Sequence, residues 1–316
     1  MRRVILPDWW DERCADDPRL MQDVEIRVAR FLGVSMSAVA DPRLALEPPR
    51  YPGAQLRRVR DTDRTRLAPA MHAAIRTAAA VVRSLRDTVP AAHHPPREGL
   101  AWRDQVVGTR TAPSLETIAR HLWERGIPVV PLDVLPAPSF QGMACIVDDR
   151  PVILLGHRHD EPGRVAFVIA HEAGHIAEGD CTAGRPIVDE EPEIADDGEI
   201  ERRADQYATH VLVGDVDTPQ LDGAGSIHFK DLARRASEIE RTKGADAGLL
   251  IFSWAHRTGE YATAAMAVKA LYRSTGARKQ LHRLLNRYVD FTAASETDRA
   301  LLLCAHGAWA RDEPAR

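Results

Sequence analysis

The densest chemistry in this sequence lies at residues 171–175, where His171-Glu172-Ala173-Gly174-His175 forms an H-E-x-x-H pattern. On an α-helix, positions four apart share a face, so both imidazoles can reach one ion, while Glu172 is turned towards a water beside it. Two histidines leave a metal short of ligands. Glu201 opens an E-x-x-x-D pattern that ends at Asp205, and the stretch after His175 is long enough for a loop and a returning helix. Glu201 is expected to complete a His2Glu shell with one open position, the arrangement of catalytic zinc, and Asp205 to accept a hydrogen bond from a ligand histidine. The chemistry would be zinc-assisted hydrolysis of a peptide bond: the ion polarises the carbonyl, and Glu172 takes a proton from water and passes it to the leaving amine. The pattern does not single out the group that stabilises the oxyanion; Tyr207, His228 and His256 are the candidates.

These residues need elements to hold them. The apolar run Val165 to Ala170 leads directly into the motif, so GRVAFVIAHEAGHIAEG is expected to be a buried helix. Before it, GMACIVDD and RPVILLG flank an Asp148-Asp149-Arg150 turn, which predicts a β-hairpin, and IPVVPLDVL predicts another strand. SLETIARHLWERG has Ser114 as N-cap and Gly126 as C-cap. A small sheet with the H-E-x-x-H helix packed on it is an α+β arrangement. The acidic DEEPEIADDGE at 189–199 is expected to be a solvated loop before a helix starting near Ile200. Either hairpin strand could offer an edge to an extended peptide substrate, or the hairpin could simply pack beneath the helix.

Pro- and Gly-rich clusters at 47–53, 90–99 and 136–138 divide the chain, and both flanks of the sheet region are expected to be mainly helical. The divisions are 1–48, 49–113, 114–222 and 223–316, with helices at 65–88, 229–241, 261–274, 276–292 and 295–310. Within the first, Ala29, Gly33, Val34, Ser35 and Val39 keep the spacing of a degenerate helix-turn-helix. That segment carries nine acidic residues against seven arginines, which suits DNA poorly; a packing or protein-docking role is the alternative. Arginines 50, 57, 58, 60, 64, 66, 76, 83 and 86, and then RKQLHRLLNR at 278–287, are where nucleic acid would bind if it binds at all. His93, His94, His157 and His159 are expected at the surface. KGADAGLLIFSWAHRTGEYATAAMAVKALY has helical periodicity after an apolar start and suits a substrate-docking or dimerising region.

With 316 residues, 44% hydrophobic and 28% charged, the composition is that of a globular protein, and a net charge of −4 gives no general attraction to nucleic acid or anionic lipid. Cys14, Cys145, Cys181 and Cys304 are far apart, which argues against a disulfide framework or a cysteine zinc site. The start MRRVILPDWWDERC is not a secretory signal, and no apolar run is long enough to span a bilayer. A cytoplasmic protein with no membrane partner is expected.

The segments LWERGIPVVPL, GMACIVDDRPVILL, VAFVIAHEAGH and EIERRADQYATHVLV, in that order from residue 114 to about 215, resemble the ImmA/IrrE metallopeptidases of bacteria and their mobile elements. The resemblance implies a gluzincin-like, zincin-type core and a cytoplasmic endopeptidase that cuts a DNA-binding repressor, releasing stress-response or mobile-element genes. Carried over by position, it assigns zinc to His171, His175 and Glu201 and the catalytic role to Glu172. YATHVLVGD departs from the family's usual continuation, which contains a proline. A rival reading of the same ancestry is an antitoxin or transcriptional regulator that uses the fold as scaffold or sensor.

Overall fold

The computed structural model describes residues 6, 10–32, 34–41, 43, 61–107, 113–135, 140–156, 160–181, 187–189, 199–215, 221, 227–271 and 276–306. Gly33, the arginines at 50, 57, 58 and 60, the side chains of Arg64 and Arg66, His157, His159 and most of the acidic loop lie outside this set.

Helix α1 (Pro18–Leu32) is followed by a five-residue helix α2 (Met36–Ala40), capped by the Ser35 hydroxyl. Helices α3 (Asp61–Arg83), α4 (Gly99–Val107) and α5 (Leu115–Glu124) lead to the sheet. Its strands are β1 (Val129–Pro131), β2 (Gly142–Val147) and β3 (Arg150–Leu155). Then come α6 (Pro162–Glu178), β4 (Ile187–Asp189) and α7 (Glu199–Leu212). Helices α8 (Phe229–Lys243), α9 (Ala247–Thr258), α10 (Tyr261–Leu271), α11 (Ala277–Tyr288) and α12 (Glu296–His306) complete the α+β architecture.

The hairpin forms where the sequence places it. Asp148 and Asp149 take φ 49° and 60°, the paired left-handed conformations of a two-residue turn whose twist matches the strands. Arg150 is not part of the turn; it opens β3 opposite Val147, and its guanidinium donates to the Pro90 carbonyl at 2.9 Å. Strand order is β1-β3-β2-β4, with β1 parallel to β3 and both other pairs antiparallel. The order bears on the two readings of the hairpin, an edge offered to a peptide or packing beneath the helix. β3 is interior, and β4, which falls at the start of the expected acidic loop, pairs with β2 from Gly142 to Ala144.

Helices α3 and α6 both pack on β2 and β3. All residues of these strands except Ile146 and Arg150 are buried, without the alternation of a half-exposed sheet, so both faces are covered. α5 and α11 pack together and on β1; α12 packs on α3. The resulting apolar core is continuous from Phe31 to Ala305. The C-terminal part is tied on by charge as well: Asp133, just after β1, meets both the Arg278 guanidinium and, at 2.8 Å, His282 Nε2.

Several boundaries moved for local reasons. α3 stops at Arg83 because Leu85 forms a bridge with Val289. The long C-terminal periodic stretch breaks into α9 and α10 at Gly259, whose φ of 78° a helix interior cannot accept. α4 went unforeseen within the 49–113 division, since its apolar residues follow no amphipathic period.

Candidate metal centre

Helix α6 is built to hold a buried polar motif. Pro162 starts it at a position where no backbone donor is needed, and Gly179 ends it at φ 77°. Its burial extends almost all round, so His171, Glu172 and His175 are 3% exposed or less and sit inside the core. α7 packs along α6 so closely that a Cβ at Gly174 would lie 3.2 Å from the Tyr207 side chain. This approach brings Glu201 to the two histidines.

His171 Nε2 and His175 Nε2 are 3.1 Å apart, and Glu201 Oε2 lies 3.3 Å and 3.8 Å from them. A tetrahedral ion with bonds of about 2.05 Å has ligand–ligand edges of roughly 3.3–3.4 Å, so the three atoms are close enough together to share one metal ion. Each Nδ1 is turned to a carboxylate: His171 to Asp205 Oδ1 at 2.8 Å, His175 to Asp180 Oδ2 at 3.2 Å. With Nδ1–H donating outward on both rings, two imidazole lone pairs and a carboxylate oxygen converge on one point. Such a convergence suits a cation, either a proton or a metal ion. His171, His175 and Glu201 therefore form a group able to bind a metal, and among the described residues it is the one cluster of three such side chains.

The electrostatics agree. Burial alone would lower the pKa of His175, but its bonds to Asp180 and Glu201 and the charge of Glu172 raise it to about 9. Burial would raise that of Glu201, yet the two histidines hold it well below the ordinary carboxylate range. Cys145 and Cys181 are buried and unbridged; burial and the Glu172 charge push Cys145 up to about 12, so it remains a neutral thiol.

Glu172, fully buried, lies against the start of β2. A Cβ at Gly142 would come within 2.5 Å of Glu172 Oε1 and 2.6 Å of Val168 Cγ1, so only glycine leaves room for the carboxylate there.

Of the oxyanion candidates, Tyr207 and His228 have their described hydrogen bonds elsewhere. Tyr207 donates its hydroxyl to the Pro96 carbonyl at 2.8 Å and stacks on Trp102 at 5.9 Å, so it acts as the spacer between α6 and α4. His228 is exposed and caps α8, accepting from the Lys230 N–H. The His256 side chain lies outside the described residues. The basic residues where nucleic acid would bind if it binds at all are partly consumed within the fold: Arg83 bonds Asp298 (Nε to Oδ2, 3.2 Å), Arg86 approaches Asp290, and Arg278 is held by Asp133. No described helix is long and apolar enough to cross a membrane.

Asp180 is the site residue that the sequence reading missed. It lies beyond the helix end, and only the reversal at Gly179 folds it back on His175. In comparisons with known proteins, no family model matches the chain, and no curated protein matches it.

Proposed function

We propose that this protein is a zinc metallo-endopeptidase with a zincin-type core, akin to the ImmA/IrrE peptidases, that cleaves a regulatory protein such as a DNA-binding repressor in the cytoplasm. The observation that carries the reading is the convergence of His171 Nε2, His175 Nε2 and Glu201 Oε2 on one point, with both Nδ1 atoms held by carboxylates. A bare histidine pair would need neither the third donor nor the outward carboxylates. When bound, zinc would supply Lewis acidity to a peptide carbonyl and to water. Glu172 would then remove a proton from the attacking water and return it to the leaving amine. Its burial favours this role, because a proton taken up from the attacking water is shielded from bulk solvent until it is passed on. A metal site used only as a scaffold has no use for a buried general base one residue from a ligand. The rival reading as a DNA-binding regulator draws little support from α2, which has five residues and an acidic neighbourhood.

The test begins with metal content of the parent, Glu201→Ala and Glu172→Gln by elemental analysis. The parent and Glu172→Gln are expected to hold one zinc each, and Glu201→Ala to lose it. Incubation with a repressor encoded beside the gene should then give cleavage by the parent and none by Glu172→Gln. A parent that takes up no zinc sinks the proposal.

A further inference from the structure

We infer that Asp180 is a positioning residue for His175, and that Arg203 fixes it there from the helix that carries Glu201. This rests on the metal-site reading above and adds to it a residue outside both sequence patterns. The backbone comes first. Gly179 N–H bonds the Ile176 carbonyl at 3.2 Å and Asp180 N–H bonds the His175 carbonyl at 3.0 Å, a closure that needs the left-handed glycine between them. It returns the Asp180 side chain to the ring of the residue whose carbonyl it has just capped, with Oδ2 at 3.2 Å from Nδ1.

The other oxygen faces α7. Asp180 Oδ1 is 3.6 Å from Arg203 Nη2, and Arg203 also approaches Glu199 at 3.8 Å. The carboxylate thus bridges the two ligand-bearing helices, two residues from Glu201. Its counterpart Asp205, which serves His171, is 50% exposed, whereas Asp180 is 14% exposed. Water can take over from Asp205 once its carboxylate is removed; it has far less access to the place of Asp180. The two histidines are therefore held unequally, and the His175 side is the one that depends on its carboxylate.

Removing an outer partner of a metal-bound histidine typically weakens binding by about 10–100-fold. The experiment measures zinc affinity by chelator competition, and the visible spectrum of the cobalt-loaded protein, for the parent, Asp180→Ala, Asp180→Asn and Asp205→Ala. The expected order of loss is Asp180→Ala greatest, with a shifted cobalt spectrum, and Asp205→Ala smaller. Asp180→Asn, which keeps an acceptor oxygen but not the charge, should fall between the parent and Asp180→Ala. Parent affinity and an unchanged spectrum in Asp180→Ala overturn the inference while leaving the metal site standing; a parent that binds no metal overturns both. Should the alanine variant not fold, equality of Asp180→Asn with the parent overturns it.

Discussion

Replacing Gly142 by alanine tests how tightly the general base is seated. Gly142 opens β2, paired with Leu155 on one side and Asp189 on the other, and its φ is not in the left-handed region. On backbone grounds alone Gly142→Ala should be mildly stabilising, by about 0.5–1 kcal/mol, because alanine has less freedom to lose. Space reverses the sign. The new Cβ would stand 2.5 Å from Glu172 Oε1, 2.6 Å from Val168 Cγ1 and 3.1 Å from Glu172 Cγ. Ordinary carbon contacts are about 3.5–4.0 Å, so roughly an ångström must be found by turning the carboxylate or moving α6. Overpacking of this kind costs about 1–3 kcal/mol. Urea denaturation of Gly142→Ala, Glu172→Ala and the double variant should show the clash as a coupling of about 0.5–3 kcal/mol, the double variant being more stable than additivity allows. If the carboxylate turns and the helix stays, no ligand is displaced, so zinc content should stay at the parent value while peptide hydrolysis falls. An alanine variant more stable than the parent, with additive energies and unchanged turnover, would refute the packing argument.

The pKa of His175 sets a pH dependence for the metal-free protein and for zinc uptake. A histidine raised from 6.5 to about 9 on folding adds stability that is fully present below the unfolded value and is lost as pH rises towards 9. The apo protein should therefore weaken between those limits in urea titrations. Over the same range the ion must displace that proton, so zinc affinity should rise about tenfold per pH unit and level off near the folded value; a flat competition profile would contradict this. At the other end of the sheet, Asp133→Ala leaves Arg278 and His282 without the carboxylate they share, with all three side chains less than a fifth exposed. A loss of about 3 kcal/mol is expected, the lower end for breaking a buried pair. Denaturation indistinguishable from the parent would show that Asp133 does not anchor α11.

The motif, the hairpin and the helix between its caps were legible because each is local: residues four apart on one helix, two aspartates between apolar runs, a glycine at a helix end. Glu201 was found because it stands in its own short pattern, and Asp205 because helical spacing predicts its position. Asp180 and β4 were not legible. The first depends on a chain reversal, the second on pairing with a strand some forty positions earlier, and neither leaves a period in the sequence. Tyr207 stands six positions after Glu201, which along a helix carries its side chain well over a turn away, here to the Pro96 carbonyl.

The helix that covers one side of the sheet also constrains the order of folding. α3 leaves the ribosome before any strand it will cover, while α12, which packs on its length, comes from the last described residues of the chain. Until α12 emerges, an Ala-rich apolar helix has only part of its final surroundings, and the core that runs from Phe31 to Ala305 cannot close. The nascent chain must therefore carry an incompletely buried apolar surface until Glu296–His306 emerges, the state in which aggregation competes with folding. Truncation just before α12 would thus be expected to harm solubility far more than its distance from the metal ligands suggests.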